Sequence, residues 1–281
     1  MAKTGGCPLP VVTKKSFEAV VIDIDGTFID DNEELPSDNL SILNFIIEKG
    51  IKVIFCSGRM LQSVEVFLMT NIGRTFPVIA YNGAMVKLND RIILDKKISS
   101  SLASRIVKEA LKERLYIQAC VNDELYVSED NKKAVDYAKH SSVEYHVPKN
   151  FINFVNSYEP TKLLIIDEAE ELKAIAEKFR RRFSGVEIVR SFPTYLDIIP
   201  SNTDKGMALK ILCEKMGILL KKTVVFGDND NDVAAFKVAG LSVAMGNGTK
   251  MVKENADIIA PTNNDAGFAK ITKCLFRKNY F

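Results

Sequence analysis

Short apolar runs that each end on a small or acidic residue constrain this chain more than anything else in it. They read "AVVID" at 19–23, "IKVIFC" at 51–56, "PVIA" at 77–80 and "TVVFG" at 223–227. A continuous run of this length without polar alternation is a strand covered on both faces, the habit of parallel sheets rather than of sheets with one wet side. Between the first three runs lie "SDNLSILNFIIEKG" and "MLQSVEVFLMTNIG", whose apolar residues recur at helical spacing. Ser37 or Asp38 stands where an N-cap is wanted and Gly50 where a helix stops. From Thr203 the alternation returns: "DKGMALKILCEKMG" and "NDVAAFKVAG" read as helices, "LSVAM" and "ADIIA" as short strands. The fold expected is α/β, a doubly wound, Rossmann-like parallel sheet.

The texture changes after "YNGA" at 81–84. "AMVKLNDRIILDKKI" reads as two strands about a turn at Asn89 and Asp90, followed by a helix near 99–114 and the strand pair "YIQACV" and "ELYVSE", joined through Asn122 and Asp123. A second helix with a strand pair, "EAEELKAIAEKFRRRF" then "VEIVRS" and "TYLDII", repeats that order and suggests an internal pseudo-repeat. The expected organisation is a core built from 17–83 and 194–281, an α+β domain inserted over 84–193, and a loose N-terminal tail over 1–16. Two short connections to the insertion would act as hinges.

Composition enters by exclusion. Lys plus Arg number 38 against 36 Asp plus Glu, a formal charge of +2, so nothing argues for nucleic acid or an anionic membrane and any recognition of an anion must be local. The five cysteines (Cys7, Cys56, Cys120, Cys213, Cys274) form no CxxC pair, which points to reduced thiols rather than a disulfide scaffold or a zinc site. His140 and His146 lack a metal-ligand spacing and read as structural or surface residues. The tail has no apolar segment of signal-peptide length, and no window is long enough to span a bilayer. The expected location is the cytoplasm.

In an open parallel sheet, ligands gather beyond the carboxyl ends of the strands, and four stretches place polar groups there. Asp23 and Asp25, two residues apart, point to one side while the chain stays extended. Crowding without a counter-charge drives one carboxylate pKa up, which suits a general acid, while a divalent cation would keep the other ionised as nucleophile or ligand. Gly26 permits a close turn with amides facing an anion; the plain alternative is a pair of turn-capping aspartates. In "IFCSGRM", Ser57 and the Gly58 amide either bind a phosphate at a helix N-terminus or form an ordinary N-cap, and Arg59 reaches either substrate or a structural carboxylate. Lys205 opens a helix, where a cation opposes the dipole unless an anion is bound nearby; otherwise it is a solvated lysine. "VVFGDNDND" ends a strand in Asp228, with Asn231 and Asp232 a turn later, hard oxygen donors of the kind Mg²⁺ takes, though also a usual turn composition. Together they supply a carboxylate nucleophile, a nearby acid, a Mg²⁺ site, a lysine and amide donors, the equipment for aspartyl-phosphate chemistry.

In order and spacing these residues resemble the haloacid dehalogenase superfamily of phosphohydrolases: DxDGT (Asp23 to Thr27), the Ser57 motif, Lys205, and GDxxND (Gly227 to Asp232). The insertion after "YNGA" and the segment "AMGNGTKMVKENADIIAPTNNDAG" resemble its Cof-like, sugar-phosphatase branch with a C2-type cap, over about residues 17–275. The resemblance implies that Asp23 attacks phosphorus and that Asp25 protonates the leaving alkoxide and then activates water. It implies that Asp23, the Asp25 carbonyl and Asp228 hold Mg²⁺ with Asn231 and Asp232 in support, and that Gly26, Thr27, Ser57, Gly58 and Lys205 bind the phosphoryl group. Ala235 and Ala266 depart from the branch, where methionine and an acidic residue are common.

The inserted domain would close over the site and choose the leaving group, with Arg59, Asn82, Arg190 and Tyr195 as candidate substrate contacts. The expected partner is a small phosphorylated metabolite, most naturally a sugar phosphate, with pyridoxal phosphate or FMN open, and the expected assembly a monomer or weak homo-oligomer. Two competing readings are a phosphotransferase or mutase that passes the same intermediate to a second hydroxyl, and a non-catalytic phosphoacceptor resembling a receiver domain. Asp25 and the large insertion speak against the second.

Overall fold

The computed structural model of the chain describes residues 16–281, so the expected tail lies outside the described residues except for Ser16. The chain divides into two compact units, one formed by the segment up to Cys56 together with Lys205–Phe281, the other by Ser57–Asp204.

The first unit is a parallel sheet. Its strands run Ile258–Ile259, Leu241–Ala244, Thr223–Gly227, Ala19–Ile22, Lys52–Cys56 across the sheet, every neighbour parallel. Ala19, Val20, Val21 and Ile22 have no exposed surface, as a strand covered on both faces requires. The order reverses between Ala19–Ile22 and Thr223–Gly227: from the first strand the chain winds outward to Lys52–Cys56, and on its return it winds the other way. Such a switch point opens a crevice at the carboxyl ends of the two strands. Ile22 is in register with Phe226, so Asp23 and Gly227 leave the sheet side by side. Beneath them Phe28, Phe55, Phe226 and Phe268 interlock, with edge-to-face contacts at 5.5, 5.4 and 4.9 Å between ring centroids, and fix the strand ends from below.

Helix Ser37–Glu48 starts after Pro36, which occupies the capping position that Ser37 or Asp38 was expected to take; proline's fixed φ suits the helix start without a side-chain bond. Gly50, at φ +77°, ends it as expected. The expected helix over 231–240 shortens to Val233–Phe236 because residues 230–232 form a tighter turn around Asp232. The C-terminal helix Gly267–Arg277, to which no element was assigned from the sequence, packs Phe276 on Phe45 at 4.9 Å.

The second unit carries the antiparallel strands Val78–Ala80, Met85–Leu88 and Arg91–Asp95. Its six-stranded sheet has the order Val186–Phe192, Tyr195–Pro200, Lys162–Ile166, Ile117–Val121, Glu124–Val127, Tyr145–His146. The turns at Asn89 and at Asn122–Asp123 hold φ between +52° and +63°, as hairpin turns built on Asn and Asp do. Ile117, Ala119, Val121, Leu163, Ile165, Leu196 and Ile198 alternate onto one face and bury against Ser100–Lys112, Phe151–Ser157 and Ala169–Arg182. The helix Lys132–Ser141, the short strand Tyr145–His146 and the helix Phe151–Ser157 fill a stretch where the sequence signalled no element.

Cys56, Cys120 and Cys213 are buried and form no disulfide among the described residues. Cys274 is disulfide-bonded, against the expectation of reduced thiols. No helix among the described residues is long and apolar enough to cross a membrane.

Candidate active site

Asp23 follows the Ala19–Ile22 strand in extended conformation, with its amide donating to the Phe226 carbonyl at 3.1 Å. Its side chain caps nothing in the turn that follows. Instead Oδ1 accepts from Lys205 Nζ at 2.6 Å, and the same ammonium donates to Asp232 Oδ1 at 2.6 Å. All three side chains are buried; Lys205 is only 1% exposed although it opens the helix Lys205–Met216. The lysine that looked misplaced against a helix dipole is thus explained by two carboxylates of its own chain.

Asp228, after the Thr223–Gly227 strand, completes the group: Asp23, Asp228 and Asp232 each offer a carboxylate oxygen within 4.8 Å of the others. Gly26 turns the chain at φ +71°, where a Cβ would fall 2.8 Å from Asp228 Cγ, so only glycine lets the turn lie against that carboxylate. Thr27 Oγ1 donates to Asp228 Oδ1 at 3.3 Å. Asp232 Oδ2 accepts from the amides of Asp228 and Asn229, both at 3.0 Å, and Asn231 stands half-buried beside it. Asp25 is half-buried next to the turn.

Electrostatics here are dominated by burial. The Asp23 carboxyl is pushed well above its ordinary range, first by desolvation, with Lys205 pulling it down and Asp232, Asp228 and Asp25 pushing it up. Asp228 rises to about 8 through burial and the neighbouring Asp232 and Asp25, with Lys205 and the Thr27 hydroxyl pulling the other way. Burial works to lower the Lys205 pKa, but Asp23 and Asp232 outweigh it and hold the ammonium above its usual value. Three carboxylates facing one ammonium leave a formal charge of −2 in a largely buried cluster, and their all-oxygen donor set fits a hard divalent cation of the Mg²⁺ class.

The sequence did not single out Asn247, whose Nδ2 donates to the Gly26 carbonyl at 2.8 Å while its Oδ1 accepts from the Asn263 amide at 3.0 Å. The signal was available, since "GNG" follows the short strand pattern "LSVAM" at 241–245 much as Gly-Asp follows Thr223–Phe226.

The other expected residues belong to the second unit. Ser57 is 1% exposed; its amide donates to the Ile79 carbonyl at 2.8 Å and its Oγ accepts from the Arg59 amide at 3.1 Å. Arg59 lies over the Phe67 ring at 5.8 Å. Asn82, in the left-handed region at φ +55°, donates from Nδ2 to Asp197 Oδ2 at 2.9 Å. Arg190 donates to the Pro193 carbonyl of its own hairpin at 2.7 Å. Tyr195 sits among Tyr137, Phe192 and His140, with ring centroids 5.6, 5.4 and 6.4 Å away.

A family model described as haloacid dehalogenase-like hydrolase matches residues 20–271. Among solved structures, TM0651 from Thermotoga maritima is 40% identical, with a TM-score of 0.82 over 92% of this chain and 97% of that one. A haloacid dehalogenase-like hydrolase from Bacteroides thetaiotaomicron is 25% identical, with a TM-score of 0.83 over 93% and 100%. The 5-amino-6-(5-phospho-D-ribitylamino)uracil phosphatase YcsE of Bacillus subtilis is 26% identical over 254 residues, 90% of this chain and 94% of its own.

Proposed function

The chain belongs to the haloacid dehalogenase-like hydrolases, and we propose that within them it is a Mg²⁺-dependent phosphomonoesterase acting on small phosphorylated metabolites through an aspartyl-phosphate intermediate. The observation that carries this reading is Lys205, buried between Asp23 and Asp232 at 2.6 Å from each, with Asp228 in reach of both carboxylates. A buried lysine shared by two acids at a sheet switch point is an expensive arrangement for structure alone. It suits a site that must hold a nucleophilic carboxylate ionised and then receive an anion.

Asp23 Oδ1 is held by Lys205, so Oδ2 is the oxygen that attacks phosphorus. The new P–O bond to Asp23 forms as the ester P–O bond breaks, and the leaving alkoxide takes its proton from Asp25. Asp25 then accepts a proton from water as that water attacks phosphorus; the Asp23–phosphorus bond breaks and releases inorganic phosphate. The acid role suits a carboxyl crowded by like charges, and the base role is the same group after its proton has left. Asp23, the Asp25 carbonyl and Asp228 would hold the Mg²⁺, which supplies charge stabilisation to the phosphoryl oxygens when bound. Asp232 fixes Lys205 and the loop carrying Asp228, and Asn231 supports that loop. Gly26, Thr27, Ser57, Gly58 and Lys205 are the phosphoryl contacts.

In this reading 84–193 forms the cap, and Arg59, Asn82, Arg190 and Tyr195 remain its candidate substrate contacts. A sugar or polyol phosphate is the favoured substrate class; the phosphoribityl compound in YcsE's name is of that kind. Phosphate release is measured over a panel of sugar phosphates, pyridoxal phosphate, FMN and p-nitrophenyl phosphate, with Mg²⁺ or EDTA. Turnover that needs the metal and vanishes in Asp23→Asn supports the reading. Turnover insensitive to either change defeats it, and phosphate appearing on an added sugar rather than in solution assigns transfer instead.

A further inference from the structure

The second unit contains a buried ion pair that the catalytic reading leaves unused. Lys162 and Asp197 are 3% and 0% exposed, and their Nζ and Oδ1 lie 3.2 Å apart. At that separation the ammonium and the carboxylate form a close buried ion pair. Burial, the strongest single influence, works against a charged Lys162, yet Asp197 with Tyr137 and Cys120 nearby hold the ammonium above its ordinary pKa. Removing one member of such a pair is costly, and replacing both with apolar residues is often neutral. A pair retained here calls for an account.

Its remaining bonds supply one. Lys162 Nζ donates to the Gly58 carbonyl at 3.2 Å and stands 5.7 Å above the Tyr81 ring. Asp197 Oδ2 accepts from Asn82, whose own amide donates to the Ser57 carbonyl at 3.1 Å. From the Ile117–Val121/Glu124–Val127 hairpin turn, Asp123 accepts from the amides of Leu61 and Gln62 at 3.0 and 2.8 Å and from the Tyr81 hydroxyl at 2.6 Å. The Leu61–Asn71 helix thus receives its N-terminal carboxylate from a residue some sixty positions away. Tyr81 and Asn82, both at positive φ (+53° and +55°), are non-glycine residues in a strained conformation that these bonds hold in place.

We propose that Lys162, Asp197 and Asp123 are positioning residues that set the backbone of the Ser57–Gln62 loop, so that residues of the second unit far from it in sequence shape the loop presenting the Ser57 hydroxyl to a phosphoryl group. The inference rests on the reading of Ser57 as a phosphate anchor. It extends that reading, because it makes anion affinity depend on three side chains with no place in the chemical step. The loop is gripped at its Gly58 carbonyl and at the amides that open the helix, while Ser57 is fixed through Asn82.

The test is the double substitution Lys162→Met with Asp197→Asn, which leaves no unpaired buried charge and keeps an amide oxygen for Asn82 to donate to. Two readouts are taken on the full chain: amide hydrogen exchange across 57–62, and calorimetric titration with inorganic phosphate, each beside wild type and Ser57→Ala. The expected result is faster exchange at Arg59, Leu61 and Gln62 with no change in the Ala169–Arg182 helix, phosphate affinity weaker by about tenfold, and an unaltered Mg²⁺ activation constant. Unchanged exchange across the loop overturns the proposal whatever the protein's activity. Faster exchange with unaltered phosphate affinity also overturns it, and Ser57→Ala locates the fault. If Ser57→Ala weakens phosphate binding, the positioning role is wrong; if it does not, the anchor itself was misassigned. Lys162→Arg, which keeps a donor for the Gly58 carbonyl, should recover part of the affinity, and its failure to do so in a folded protein counts against the grip on that carbonyl.

Discussion

Gly26→Ala separates the strain of a left-handed residue from the loss of a ligand position, because Gly50 offers the same strain without the neighbour. Gly26 has φ +71° and Gly50 φ +77°; a Cβ at Gly26 would meet Asp228, and one at Gly50 would meet nothing within 4 Å. Alanine in that conformation costs about 1–2 kcal/mol at either site. At Gly26 the Asp228 carboxylate must also swing aside, since its backbone is held by the Thr249 amide on its carbonyl and by its own amide on Asp232. That movement forfeits the Thr27 hydrogen bond, about 1 kcal/mol more. Gly26→Ala should therefore lose roughly 2–3 kcal/mol, or about 4–12 °C in Tm at some 2–4 °C per kcal/mol, and Gly50→Ala about 1–2 kcal/mol. The functional outcomes should diverge far more than the stabilities. Thermal unfolding with and without Mg²⁺, together with phosphate release, should show Gly50→Ala active and metal-responsive, and Gly26→Ala weakened in Mg²⁺ affinity by about 10–100-fold. If Gly26→Ala binds Mg²⁺ and turns over like Gly50→Ala, the turn does not set the position of Asp228 and the reasoning fails.

Other substitutions test the charges one at a time. Asp228 has a folded pKa of about 8, above its unfolded value of 3.8, so its contribution to stability is greatest below pH 4 and is lost as pH rises towards 8. Asp228→Asn should make the metal-free protein more stable above pH 8, by a few kcal/mol, while abolishing the rise in Tm with Mg²⁺; a destabilised variant in EDTA would contradict this. Asp123, raised by burial to about 6, follows the same sign, and urea unfolding should show the slope between pH 4 and 6 flatten in Asp123→Asn by about 1 kcal/mol after allowance for partial solvent access. Asp232→Asn places an amide donor against either Lys205 or two backbone N–H groups, so it should lose about 1–3 kcal/mol. Asp23→Asn, by contrast, keeps an acceptor for Lys205, relieves repulsion, and should fold as well as wild type while losing turnover. Equal Tm values for these last two would show that Asp232 does not hold the loop.

The residues Asp23, Lys205, Asp228 and Asp232 were legible because each stands at or just beyond a feature that periodicity reveals: an apolar strand end, or a helix start with a cation in the wrong place. The register of Ile22 with Phe226 then brings two such ends together. Positions that depend on a single side chain crossing a long stretch of sequence were not legible. Asn247 reaching Gly26, and Asp123 capping a helix about sixty residues earlier, have no local pattern, since Asn and Asp in turns are fully explained by the turn. The helices Lys132–Ser141 and Phe151–Ser157 escaped for another reason. In the first, Ala134, Tyr137, Ala138 and Ser141 do fall at helical spacing, but a stripe of alanines, a tyrosine and a serine carries little apolar contrast, and the second buries only Phe151 and Val155. Lys162 and Asp197 sit in strands whose neighbours are apolar; the Lys162–Ile166 strand was not read from the sequence, and nothing local shows that the two charges meet.

Counting hydrogen bonds then separates acids that sequence treats alike. Asp23 and Asp232 are both buried carboxylates bound to the same ammonium at 2.6 Å. Asp232 uses its second oxygen on the Asp228 and Asn229 amides, which fixes its rotamer. Asp23 has Lys205 on one oxygen, and burial, with Asp232, Asp228 and Asp25, pushes its carboxyl pKa up while Lys205 pulls it down, so the ammonium is the group that favours its ionised form. Asp228 has only the Thr27 hydroxyl on Oδ1 and lies within reach of Asp23, the disposition of a metal ligand rather than of a loop brace. Which lone pairs the fold has already used thus distinguishes these acids, and Lys205 links Asp23 to Asp232.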